Sequence, residues 1–178
     1  MLVALRSASR TSSNFKLTFM ILQEDTVAPD FELNATPDQK LRLSALRGKR
    51  VILAFYPADW SPVCGDQMVL FNATLKYFKS YNAQIIGISV DSPWSHLAFA
   101  ENRNLHFPLL SDFEPKGAVS KIYGTYNRLK GHSDRALFII DEEGIIRFGE
   151  LYQEGLNPGV DGVLEALESM SVNKKYAL

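Results

Sequence analysis

One cysteine, Cys64, is all the thiol chemistry that the chain possesses. An internal disulfide needs two cysteines and a Cys-rich zinc site needs more, so both are excluded, as is dithiol reductase chemistry within one chain. The single thiol leaves the redox compartment open, because an oxidising setting is inferred from paired cysteines. The chain lacks an apolar run of about 18 residues, the length a membrane-spanning helix requires. It also lacks an excess of charge. Lys and Arg number 19 and Asp and Glu 20, a formal net charge of −1, which provides no long-range field for nucleic acid. No G-x-S-x-G elbow is present to suggest a Ser-His-Asp hydrolase. His96, His106 and His132 lack the close helical spacing of a zinc site.

What is present is ordinary for a folded protein: 178 residues, 46 % hydrophobic and 22 % charged, enough for one domain with a core. Residues 1–19 stand apart. They carry Arg6, Arg10 and Lys16, no acidic residue, and a crowd of hydroxyls at Ser7, Ser9, Thr11, Ser12 and Ser13. Three readings compete for them: an organelle transit peptide, a disordered tail, or an upstream extension with Met20 as the working start. Residues 20–178 read as the single folded domain. The cytoplasm is the expected compartment, with organelle targeting by residues 1–19 the competing one.

From Met20 onward, strands and helices alternate. Val51 to Tyr56, Gln84 to Val90 and Ala136 to Ile140 are continuous apolar runs, as in strands covered on both faces. Asp141 to Gly144 is a turn signal, with a hairpin partner over Ile145 to Leu151. A shorter strand is expected near Phe31 to Leu33. Met68, Phe71, Leu75 and Phe78 mark one face of a helix. Ser92 and Pro93 cap a second helix running to about Arg103. A short helix over residues 116–123 ends at Gly124, and a last one runs from Val160 to Met170 with Val163, Leu164, Leu167 and Met170 inward. Strand, helix and strand over residues 51–90 form a right-handed crossover. The fold class is α/β, a central mixed sheet with helices on both faces.

Chemistry concentrates between Phe55 and Gln67. A buried strand ends at Tyr56, and Ser61 followed by Pro62 opens a helix, which puts Cys64 in its first turn. Free amides and the helix dipole there favour a thiolate. A free thiol near pKa 8.5 is a few per cent ionised at neutral pH, whereas helix N-termini and cationic neighbours bring such groups to about 3.5–7.5. The position also lies beyond the carboxyl end of a strand, where open α/β sheets place their ligands. A bland reading stands beside this one. Cys64 precedes Met68 by one helical turn and would then be an inert apolar residue, Pro57 would merely end the strand, and Ser61 would merely cap.

Pro57-x-x-x-Ser61-x-x-Cys64 resembles the active-site pattern of the peroxiredoxins, Pro-x-x-x-Thr/Ser-x-x-Cys. Ala28-Pro29-Asp30-Phe31, Gly87 to Ser92, Phe107 to Asp112 and Arg135 to Asp141 resemble further segments of that family in the same order, over about residues 24–170. The resemblance implies a thioredoxin-like fold and a thiol peroxidase. It implies Cys64 as the peroxidatic cysteine, Ser61 as the peroxide-binding hydroxyl, Pro57 as a shield over the thiolate, and Arg135 as the cation that stabilises thiolate and peroxide. Without the family pattern, Arg135 reads as a surface charge at a strand start. The substrates implied are hydrogen peroxide or alkyl hydroperoxides, and a homodimer is expected. No metal, haem or flavin is needed.

The chain departs from the family in two places. Many relatives resolve the sulfenic acid with a second cysteine. Here Val69 and Ser95 occupy positions where such a residue is expected, so recycling falls to an external thiol such as thioredoxin, glutaredoxin or glutathione. Gln67 stands where many relatives carry Glu. Two other functions remain open on sequence: a peroxide-sensing switch or chaperone-like protein using the same cysteine, and a scaffold with an inert one. Trp60 and Trp94 read as core or interface packing by default, Asp59 as a turn former, and His132 as either a cavity residue or a solvent-facing loop residue.

Overall fold

The computed structural model describes residues 21–176; the expectations for residues 1–19 and for Met20 lie outside the described residues. Two short strands lead in, β1 (Glu32–Asn34) and β2 (Lys40–Arg42). The central strand β3 (Arg50–Phe55) follows, then α1 (Pro62–Ser80), β4 (Ala83–Ser89), α2 (Pro93–Arg103) and β5 (Leu109–Ser111). After α3 (Ala118–Ile122) comes a small hairpin, β6 (Tyr126–Asn127) and β7 (His132–Ser133). The chain closes with β8 (Ala136–Ile140), β9 (Ile146–Leu151) and α4 (Asp161–Tyr176).

Every residue of β3 is buried, so both faces of the sheet must be covered. The sheet order is β2-β1-β5-β4-β3-β8-β9. β3 runs parallel to β4, and β4 to β5, while β3 pairs antiparallel with β8. The mixed sheet expected from sequence is therefore present. Alternation along β3 divides the interior into two cores. Val51, Leu53 and Phe55 join Phe31, Leu43, Val119 of α3, Tyr123 and Phe138. Ile52, Ala54 and Tyr56 join Cys64, Met68, Phe71 and Phe78 of α1, Phe99 of α2, and Val163 and Leu167 of α4. Helices lie on both faces, unevenly: α1, α2 and α4 contribute to one core, and α3 with the N-terminal segment to the other.

Several boundaries differ from the sequence reading. The helix expected over residues 116–123 starts only at Ala118. Gly117 takes a left-handed φ of 65°, and a β-carbon there would lie 2.2 Å from the Tyr126 ring. Gly124, also left-handed, ends the helix as expected. The last helix begins at Asp161 and continues to Tyr176. Strand β2 and the β6–β7 hairpin were not legible, because runs of two or three mixed residues carry no period.

Phe138 tests the first core. Its ring packs edge-on against Phe55 and Tyr123, with centroids 5.8 and 5.4 Å away, and no solvent reaches it. Phe138→Ala should lower the unfolding free energy by about 3–5 kcal/mol, read by chemical denaturation. A loss below about 1 kcal/mol would show that this core can collapse around the gap.

Candidate active site

The site forms where two strand ends meet. β3 and β8 pair antiparallel with Phe55 opposite Ala136. That register places Arg135, one residue before β8, at the same sheet edge from which the chain leaves β3 towards α1. The Arg135 carbonyl accepts from Tyr152 N at 2.8 Å, which fixes its backbone.

The loop from Pro57 to Ser61 then delivers the helix. Ser61 is its N-cap, with extended backbone and Pro62 at the first helical position. Ser61 Oγ accepts from Cys64 N at 3.4 Å, and Ser61 O accepts from Gly65 N at 2.9 Å. A cap of this kind contributes about 0.5–2 kcal/mol. Cys64 is therefore in the first turn, as the sequence implied. It is fully buried and belongs to the same core as Met68, so it also continues the apolar stripe.

Its sulfur is nonetheless in polar contact. Arg135 Nη2 donates to Cys64 Sγ at 3.3 Å, and Arg135 Nη1 donates to Gln67 Oε1. Arg135 is only 4 % exposed, so it is not the surface charge of the bland reading. A buried guanidinium normally faces a carboxylate. Here its donors point at a neutral amide and a sulfur.

A cavity of about 360 Å³ opens beside this contact, lined by Pro57, Ser61, Val63, His132, Arg135 and Tyr152 among others. Three of the four residues singled out from sequence thus line one cavity, and the fourth, Cys64, is hydrogen-bonded to two of them. His132 sits in a strand and lines the cavity; it is not a solvent-facing loop residue. At the cavity edge the ion pair with Lys130 holds the Glu154 carboxyl below its ordinary range. Burial, with the hydrogen bond to Glu150, pushes the Tyr152 phenol up. A larger cavity of about 510 Å³, edged by Lys49, Lys79 and His106, contains none of the site residues.

Two sequence readings need correction. Asp59 does lie in a turn, closed by Ser61 N to Ala58 O, but its carboxylate is more than a turn group. It has no exposed surface, and its carboxylate accepts from Tyr56 Oη at 2.7 Å, Ser95 Oγ at 2.7 Å and His96 Nδ1 at 2.9 Å. Of the two packings expected for Trp60 and Trp94, the core one is overturned: they are 54 % and 69 % exposed, with Trp60 edge-on to Phe99. The role of Asp59 and His96 was missed because 37 residues separate them. The available signal was topological. Loops that follow two adjacent parallel strands emerge side by side.

The comparisons with known proteins agree with this geometry. The AhpC/TSA family model matches residues 25–148, so the chain belongs to the AhpC/TSA family, the peroxiredoxins. It is 38 % identical over 136 residues to alkyl hydroperoxide reductase E of Mycobacterium bovis, covering 76 % of this chain and 89 % of that protein. It is 36 % identical over 154 residues to a chloroplastic 2-Cys peroxiredoxin of Spinacia oleracea, covering 80 % of this chain and 57 % of that one. Among solved structures, reduced 2-Cys peroxiredoxin of Plasmodium vivax superposes with a TM-score of 0.80 at 28 % identity, covering 86 % of this chain and 84 % of that chain. The fold is thioredoxin-like, and the protein is a thiol-dependent peroxidase, an oxidoreductase acting on peroxide at the expense of a thiol.

The Asp59 cluster yields a prediction about acid. Burial alone would raise the Asp59 carboxyl; the hydrogen bond and charge of His96, with the hydroxyls of Ser95 and Tyr56, outweigh it and hold the group low. A carboxyl that is lower in the folded state contributes stability above its unfolded value, near pH 4, and loses it as pH falls further. Asp59→Asn should therefore flatten the loss of stability below about pH 4, followed by denaturant unfolding across pH. An acid limb identical to that of the parent would remove Asp59 as its source.

Proposed function

We propose that Cys64 is the peroxidatic nucleophile, with Ser61, Arg135 and Pro57 forming its peroxide site. The observation that carries this reading is the Arg135 guanidinium, buried beside the cavity with one donor on Cys64 Sγ. In the proposed step the Cys64 thiolate attacks the terminal hydroxyl oxygen of a hydroperoxide. A sulfur–oxygen bond forms, the oxygen–oxygen bond breaks, and its electron pair leaves on the departing oxygen, which takes a proton from water. The products are a sulfenic acid on Cys64 and an alcohol, or water when the substrate is hydrogen peroxide.

Each neighbour has a part. Arg135 donates to the reacting sulfur and to the charge developing on oxygen. Ser61 Oγ accepts from Cys64 N, which leaves its hydroxyl proton for the peroxide. Pro57 walls the cavity and adds no backbone donor of its own.

The chain holds no second thiol, so reduction of the sulfenic acid falls to an external one. The first thiol displaces water to give a mixed disulfide with Cys64; a second attacks that disulfide, which releases Cys64 as its thiol while the two donor thiols leave as a disulfide. Thioredoxin, glutaredoxin and glutathione are the candidate donors. We further propose a homodimer that covers exposed apolar side chains near this end, Trp94 and Leu97 on α2 and Phe113 beyond β5.

Cys64→Ser should abolish peroxide consumption in an assay run with that panel of thiols; retained consumption would refute the nucleophile. Excess peroxide without thiol should add two or three oxygens to Cys64, read by peptide mass spectrometry. An unmodified Cys64 would contradict the scheme. Stoichiometric oxidation without turnover under every donor would favour the sensing switch instead.

A further inference from the structure

We infer that the buried Asp59–His96 pair is the positioning device of the peroxide-binding loop, holding Pro57 and Ser61 at the height that Cys64 chemistry requires; this rests on the nucleophile assignment above. The loop from Pro57 to Ser61 belongs to neither β3 nor α1, and its internal backbone bond, Ser61 N to Ala58 O, is long at 3.4 Å. Its midpoint is fastened instead from outside. Asp59 N donates to Asp91 Oδ2 at 3.1 Å, on the loop that follows β4. The Asp59 carboxylate takes Tyr56 Oη from the end of β3 and Ser95 Oγ and His96 Nδ1 from the first turn of α2.

His96 carries the restraint onward. Its Nε2 lies 3.1 Å from the carbonyl oxygen of Leu110 in β5. The ring therefore bridges two acceptors, the Asp59 carboxylate on the loop and the Leu110 carbonyl in β5. Both side chains are buried: 0 % exposed for Asp59 and 1 % for His96. Removing one side of such a pair leaves buried polar atoms without their partners, so the arrangement resists loosening. A continuous line of contacts runs from β5 through His96 and Asp59 to the loop, and from Ser61 to Cys64 N.

A positioning role separates two reactions of the same sulfur. Peroxide needs the loop in register, because Ser61 and Pro57 shape the bound oxygen pair. Alkylation of the buried Cys64 by iodoacetamide needs the same approach to the sulfur but no bound oxygen pair. The experiment measures both second-order rates on Asp59→Asn, with the parent and Cys64→Ser run alongside. The expected result is a peroxide rate at least about tenfold below the parent, with the alkylation rate within about threefold. A peroxide rate within about threefold of the parent, or both rates falling together, would overturn the inference. Should Asp59→Asn not fold, Ser95→Ala decides. A fall of about threefold or more in peroxide rate at unchanged alkylation supports the role, and an unchanged peroxide rate ends it. A parent whose peroxide rate equals that of Cys64→Ser would instead defeat the nucleophile assignment, which is a separate result.

Discussion

The contact between the Arg135 guanidinium and the Cys64 sulfur is the constraint on which the rest of the site depends. It joins residues 71 apart in sequence, and it exists only because β8 lies antiparallel against β3 with Ala136 opposite Phe55. A slip of one residue in that register would turn every β8 side chain to the opposite face. The buried strand pair therefore sets the geometry of that contact. The apolar alternation that divides two cores also fixes where a cation meets a sulfur.

Cys64 satisfies two demands at once. On α1 it is a core residue one turn before Met68, and this holds the sulfur rigidly. In the first turn it also sits among amides that no helical carbonyl can take, one of which, its own, is capped by Ser61. Burial excludes water and strengthens charge interactions at the sulfur. Arg135, with Gln67 as its other acceptor, keeps its charge undiluted by a carboxylate. The inert-cysteine reading described the packing correctly but not the polar neighbour.

The sequence was most legible where physics is local. The run from Val51, the cap at Ser61 with Pro62, and Ser92 with Pro93 before α2 each act over a few residues, and their elements appear close to the expected bounds. The proximity of Arg135 to Cys64 was not local. It became legible only through resemblance to a family, since a lone Arg before a strand reads as solvent-facing. The Asp59–His96 pair had neither support. Asp beside an aromatic looks like a turn, and burial of its carboxylate depends on three partners, two of them from α2. Trp60 and Trp94, read as core or interface packing, are left at the surface by the folded chain, so bulk alone did not place them in the core.

The account is tested most directly by the second-order rate of Cys64 oxidation by hydrogen peroxide, measured by stopped flow for the parent and for Arg135→Gln, which keeps much of the length and removes the charge. The predicted result is a fall of about a hundredfold or more, the size expected when a donor aimed at developing charge is lost. A folded Arg135→Gln protein oxidised within about threefold of the parent rate would contradict the account.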